Sequence, residues 1–235
     1  MSDFNFDKEP VVCITLDTDW CKPVGVDHVV GILSEYDIPA TIFCTGDYDI
    51  PTPHERAIHP CINDHRRAEL IMEPVQTLRE IIPEANGNRC HRLEMNSFLY
   101  AGLPGLGFIY DSSWPLIGQT GITPLTLYSG LIELPVFYTD YDFILADSIK
   151  EFEKAFLSPG LKVLLFHPGH VYHNSTAESY DTLNSIPQAE RFRPELITKG
   201  FGLGEFFRHV LSMIRENNLT CATCSEVAEN SREAS

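Results

Sequence analysis

The apolar run VVCITLDTDW, Val11 to Trp20, ends on two carboxylates, Asp17 and Asp19, with Thr18 between them. In a strand, residues i and i+2 point to the same side, so the two acids would share a face. Like charges held side by side are costly unless a cation or a shared proton sits between them. The pair therefore points into water at a strand end, holds a metal, or shares a proton. A divalent ion lowers the pKa of water to ~7 in favourable cases. One carboxylate can then bind the ion while its neighbour serves as the base. His59, just before Pro60, offers an imidazole to the same ion. His167, in LLFHP, can give a proton to a leaving group. Arg89 can hold Asp17 ionised through a bidentate pair. Together these groups amount to metal-assisted hydrolysis of an acyl group.

Such residues must be brought together by the elements that carry them. VVCITL reads as a buried strand, and VDHVVGILSEYDI has helical spacing in Val26, Val29, Val30 and Leu33. PATIFCTG and ERAIHP read as strands ended by Gly46 and Pro60. AELIMEPVQTLREIIP reads as a helix that either kinks at Pro74 or begins there. GNRCHRL is predicted as a strand, SFLYAGL as a helix, and FIYDSS and LIELPVF as further strands. SIKEFEKAFL reads as a helix capped by Ser148, LKVLLFH as a strand, and LGEFFRHVLSMIRENN as a long final helix. Alternation of this kind argues for a parallel α/β sheet or a (β/α) barrel. Asp17, Asp19, His59, Arg89, His91 and His167 all fall at or just beyond strand ends, the rim where barrels gather catalytic groups.

Composition narrows the partners. Residues 1–235 read as a single domain, large enough for a sizeable core. The 33 acidic residues against 17 basic ones leave a net charge of −16, which argues against a nucleic-acid partner. No apolar run approaches the ~20 residues of a membrane span. The acidic start MSDFNFDKEP lacks the apolar stretch of a secretory signal. The seven cysteines are an odd number at scattered spacings, so reduced thiols and a cytoplasmic location are expected. CATC, at Cys221 and Cys224, has no second pair to complete a zinc ribbon and reads as ordinary thiols.

The motifs together resemble a family. TLDTDW resembles the first motif of the NodB-homology polysaccharide deacetylases, carbohydrate esterase family 4, in its form with one residue between the aspartates. HERAIHPCIN resembles the second motif, NRCHRLE stands in the place of the third, LPVFYTDYDF in that of the fourth, and LLFHPGH is similar to the fifth. Within that family the motifs resemble those of the WbmS-like proteins of surface-polysaccharide gene clusters. The resemblance implies a distorted (β/α) barrel holding one divalent metal ion, zinc in the first instance. It implies Asp17 as general base, Asp19 and His59 as metal ligands, His167 as general acid, and Arg89 as the group that orients Asp17. Asp140 would support Arg89 or His167. Asn63 stands where the family's second motif has another His, and zinc prefers N and S donors to an amide. His91 is therefore expected as third ligand, with His65 the other candidate.

The implied substrate is an acylated sugar, such as a nucleotide sugar or lipid-linked precursor, cleaved at its C–N amide bond. Two rivals stand beside it: a related amidase acting on a small non-sugar amide, and a non-catalytic binding module on the same fold. A homo-oligomer is compatible with either. Tyr110, Trp114, Phe137, Tyr138 and Tyr141 are candidates for sugar-stacking walls, with Trp20 and Trp114 the strongest. His170 and His173 are expected at the mouth of the site, and either Arg89 or Arg92 faces it.

Overall fold

The structure is a computed structural model that describes residues 4–145 and 149–233. Its first strand, β1 (Pro10–Asp17), is buried along its whole length. Val12, Ile14 and Leu16 pack with side chains of the surrounding helices, whereas Val11 and Cys13 pack among side chains of other strands. A strand with an outer layer on one face and sheet residues on the other is the wall of a barrel. Thr15 and Asp17 continue the inward series of Val11 and Cys13, so the strand's alternation delivers Asp17 to the C-terminal end of the interior.

The other strands are β2 (Ala40–Cys44), β3 (Glu55–Ile58), β4 (Gly87–Asn88), β5 (Tyr110–Asp111), β6 (Leu125–Thr126), β7 (Ile132–Glu133), β8 (Val136–Thr139), β9 (Gly160–Phe166) and β10 (Thr220–Cys221). They run in the order β6-β7-β5-β4-β3-β2-β1-β9-β8, with β10 beside β1. The named pairings are parallel except that of β6 with β7. One flank of β1 serves two partners: Val11 and Val12 pair with β10, and residues 14–17 with β2.

LIELPVF, expected as one strand, supplies two. β7 pairs with β5, whereas β8 pairs with β9 on the far side of the sheet. Pro135, between them, has no N–H for a ladder. The gap is bridged by the segment after β5: the amides of Leu116 and Gly118 donate to the carbonyls of Val136 and Phe137, and the amide of Val136 to that of Trp114, each at 2.9 Å. An irregular segment in place of a full strand makes this a distorted (β/α) barrel, as the family resemblance implies.

The helices are α1 (Pro23–Tyr36), α2 (Ala68–Ile81), α3 (Ser97–Gly102), α4 (Asp140–Leu145), α5 (Ile149–Phe156), α6 (Pro168–Tyr172), α7 (Ala177–Ser185), α8 (Gln188–Arg191), α9 (Leu203–Glu216) and α10 (Cys224–Glu233). Pro23 opens α1, where its missing N–H costs nothing. Helix α2 starts before Pro74 and contains it. The expected strand GNRCHRL shortens to β4, followed by a 3-10 turn over His91–Leu93. The Ser148 cap lies outside the described residues. No helix among the described residues is long and apolar enough to cross a membrane.

The barrel is closed at one end only. Thr223 and Glu226 form a reciprocal capping pair at the start of α10: the Thr223 amide donates to Glu226 Oε2 at 2.7 Å, and the Glu226 amide to Thr223 Oγ1 at 3.3 Å. Cys224, Val227 and Ala228 of α10 pack with Val11, Cys13 and Leu161, the first inward residues of β1 and β9. That seals the N-terminal ends of the strands and leaves the C-terminal ends, with their polar residues, facing solvent.

Candidate active site

Asp17 is 2% exposed and would be an expensive buried charge on its own. Arg89 answers it. Its Nη1 donates to Asp17 Oδ1 at 2.9 Å and to Thr15 Oγ1 at 2.6 Å. Its Nε and Nη2 donate to the carbonyl and hydroxyl of Ser112, both at 2.8 Å, and the guanidinium lies 4.1 Å from the centre of the Phe43 ring. Arg89 is wholly buried and fixed from several sides, so it orients one oxygen of Asp17 and leaves Oδ2 facing the histidines. Arg92, the alternative, lines the open cavity instead.

Asp19 lies just past β1. Thr18 sets its position, because the Thr18 amide donates to the Phe43 carbonyl at 3.1 Å and Thr18 Oγ1 accepts from the Thr45 amide at 3.0 Å. Around Asp19 stand three imidazoles. His59 Nε2 is 3.1 Å from Oδ1, His91 Nδ1 is 3.4 Å from Oδ2, and His167 Nε2 is 3.6 Å from Oδ1. His59 Nδ1 is 2.8 Å from the carbonyl of Arg89. A carbonyl only accepts, so Nδ1 carries a proton and Nε2 is the ring nitrogen turned on Asp19. The two Asp19 oxygens and His59 Nε2 are buried with no hydrogen-bond partner. A carboxylate oxygen and an imidazole nitrogen this close, both buried, are suited to share a cation, whether a proton or a metal ion. Burial opposes ionisation of Asp19, but its contacts with His59 and His91 and the charge of His167 outweigh it and hold the carboxyl well below the usual range. The donor atoms of Asp19, His59 and His91 lie within 4.8 Å of one another. One carboxylate and two imidazoles suit a divalent ion such as zinc.

His167 follows β9, its ring fixed by Asp140. The carboxylate accepts from the His167 amide at 2.7 Å and lies 3.0 Å from Nδ1. Burial disfavours the imidazolium, but the charge and hydrogen bond of Asp140, helped by Asp19 and Asp17, raise the His167 pKa to about 10. Asp140 thus supports His167 and not Arg89.

His65 and Asn63, the other candidate ligands, are exposed, and His65 Nδ1 pairs with Glu94 at 3.0 Å. Tyr110 and Phe137 are core residues, 0% and 2% exposed. Trp20 and Tyr141 do line the site, whereas Trp114 is not among its lining residues. His170 and His173 line a smaller chamber beside His167, with His173 fully buried. Leu93, Thr139, Tyr180 and Arg191, not singled out from the sequence, also line these spaces. Their segments carry no strong periodicity, and residue type alone does not distinguish them from surface groups. The main cavity has about 470 Å³ of room, within the range of small-ligand sites. Trp20, Arg92 and Leu93 on its wall have φ of 53°, 61° and 53°, and such left-handed non-glycine residues tend to cluster at functional sites.

A family model described as "WbmS-like: Polysaccharide deacetylase" matches residues 14–184. Among solved structures, the chain is similar to WbmS of Bordetella bronchiseptica, described as a polysaccharide deacetylase involved in O-antigen biosynthesis: 21% identity and a TM-score of 0.74, covering 86% of this chain and 89% of that one. A polysaccharide deacetylase of Mycobacterium smegmatis is 19% identical with a TM-score of 0.62, over 97% and 92% of the two chains. A CE4 family pseudoenzyme of Bacillus anthracis is 10% identical with a TM-score of 0.57, over 97% of this chain and 70% of that one. No curated protein matches the chain.

Proposed function

Because the chain belongs to the WbmS-like polysaccharide deacetylase family, we propose that it is a metal-dependent hydrolase that removes an acyl group from the nitrogen of an acylated sugar. The observation that carries the reading is the convergence of Asp19 and His59 through buried, unpartnered atoms, beside a second carboxylate and a third imidazole.

Asp19, His59 and His91 would hold the ion. When bound, it would polarise the amide carbonyl and make water more acidic. Asp17 is the general base. Arg89 occupies its Oδ1, so Oδ2 takes the proton of the attacking water. His167 is the general acid: its raised pKa keeps it protonated at neutral pH, and it delivers that proton to the departing amine nitrogen. Asp140 holds the ring in place and stabilises its charge. Trp20 and Tyr141, both half-exposed on the cavity wall, are suited to pack against a sugar ring.

A fold neighbour is a pseudoenzyme, so the fold alone does not bring activity and the argument rests on these residues. A module that only binds has no use for a base and an acid flanking a cation site. The test is metal content of the purified protein together with release of acid from a panel of N-acylated sugars and small non-sugar amides. Stoichiometric metal with turnover of the sugars supports the reading. Turnover of the non-sugar amides alone would move it to an amidase. Absence of metal after incubation with zinc, cobalt or manganese, or absence of turnover in the metal-loaded protein, would overturn it.

A further inference from the structure

Behind His167 is a second, smaller chamber of about 30 Å³, lined by Gly169, His170, His173, Tyr180, Leu183 and Arg191 as well as by Asp19, Trp20 and His167. It shares Asp19, Trp20, His167 and Tyr180 with the main cavity, so the two spaces meet at the reacting groups. An amide placed there has two sides. The sugar needs the larger space, which leaves the smaller one for the acyl group.

The chamber is not a simple apolar pocket. His173 is 1% exposed, and both of its ring nitrogens lack a hydrogen-bond partner. Its ring is packed against Tyr172 and Phe192, which offer it no polar atom there. Burial, with the charge of Arg191 added, lowers the His173 pKa to about 4, so the imidazole is neutral and presents one donor and one acceptor. Arg191 is fixed at the end of α7, where Nη2 donates to the carbonyls of Ile186 at 2.9 Å and Asn184 at 3.2 Å. No carboxylate pairs with it among the described residues. A buried polar group without a partner is disfavoured, and a ligand atom that supplies the partner is recognised strongly. One water needs about 10–15 Å³ of such space, so the chamber of about 30 Å³ holds roughly two to three non-hydrogen atoms. An acetyl group has only one atom beyond its carbonyl, and that atom cannot hydrogen-bond.

We propose that this chamber receives the far end of the acyl group and selects acyl groups whose second carbon carries an oxygen, such as glycolyl or oxalyl, over acetyl. His173 supplies the hydrogen bond and Arg191 the favourable charge. The inference rests on the hydrolase reading above and adds the acyl class to it.

The experiment uses the metal-loaded full chain and one amino sugar carrying N-acetyl, N-propionyl, N-glycolyl or N-oxalyl groups. Propionyl matches glycolyl in size but lacks the oxygen. The expected kcat/KM for glycolyl or oxalyl exceeds that for acetyl and propionyl by at least about tenfold, and the better of the two tells a hydroxyl from a carboxylate. His173→Phe and Arg191→Met are expected to bring the glycolyl-to-propionyl ratio towards one. Equal or better turnover of acetyl and propionyl by wild type, or a ratio unmoved in both folded variants, overturns the inference. If wild type cleaves none of the four, the hydrolase reading is what fails on this panel, and the chamber is then decided by binding. Titration with free glycolate, and not propionate, should shift the His173 imidazole resonances in the NMR spectrum; equal or absent shifts overturn it.

Discussion

Asp17 and Asp19 stand two residues apart and hold opposite positions in the site. Arg89 pairs with Asp17, which suits the base role proposed for it, while Asp19 is surrounded by imidazoles, which suits the ligand role proposed for it. Asp17→Asn should therefore keep its metal and lose about 10²–10⁴ in kcat, the usual worth of a general base. Elemental analysis and single-turnover kinetics on one preparation check both halves; loss of metal with the rate would make Asp17 a ligand. Asp140→Asn tests positioning. It removes the main groups that raise the His167 pKa against the effect of burial, so that value falls. The alkaline limb of the pH–rate profile should move to lower pH and kcat should drop, with a smaller effect on KM. A lower kcat with an unmoved limb would mean that Asp140 only maintains the fold.

At the scale of elements, β5 and β7 carry a second carboxyl pair away from the site. Asp111 and Glu133 are register neighbours, both buried. Asp111 accepts from Asn88 Nδ2 at 2.5 Å and from the Ser113 amide at 3.0 Å, and Glu133 Oε1 accepts from the Trp114 amide at 3.0 Å. Burial, reinforced by the charge of Asp111, pushes Glu133 well above the usual carboxyl range. A raised folded pKa gives stability that is complete below the unfolded value and is lost as pH rises through the folded one. Each unit of elevation is worth ~1.4 kcal/mol. Glu133→Gln keeps an acceptor for the Trp114 amide and does not ionise. Its urea midpoint should match wild type in acid and exceed it at alkaline pH, and parallel curves would show that burial does not raise the Glu133 pKa. This pair was not legible in the sequence, where FIYDSS and LIELPVF gave no sign that their acids would meet. Pro135 hides it further, because one apolar run becomes two strands with different partners. By contrast, Asp17, Asp19, His59, His91 and His167 were legible, since long apolar strands announce their own ends and a barrel collects those ends on one rim. Arg191 and Tyr180 come from short polar helices whose place is set by tertiary contacts, Tyr180 stacking on His170 of α6 and Arg191 bonding the carbonyls of Asn184 and Ile186.

At the scale of the whole molecule, the candidate metal site exists only when the barrel does. Asp19 comes from the end of β1, His59 from the end of β3 and His91 from the turn after β4, joined by a sheet that α10 plugs from the far end. The unfolded chain has no such cluster, so a divalent ion should stabilise the native state by mass action. At a free ion concentration of about 100 Kd the gain is ~2.7 kcal/mol, or roughly 5–10 °C in Tm for a chain of this size. The net charge of −16 adds a long-range attraction for cations that fades with salt. Asp19→Ala separates the specific effect from the general one. It should abolish the Tm shift at moderate ionic strength, and its metal-free form should be less stable than metal-free wild type at neutral pH, because the imidazole contacts that hold the Asp19 carboxyl below its usual range stabilise the folded state. Calorimetry with and without zinc and chelator measures both quantities. A shift that persists in Asp19→Ala would put the ion elsewhere, and a metal-free variant as stable as wild type would mean that the imidazoles do not offset the burial of Asp19.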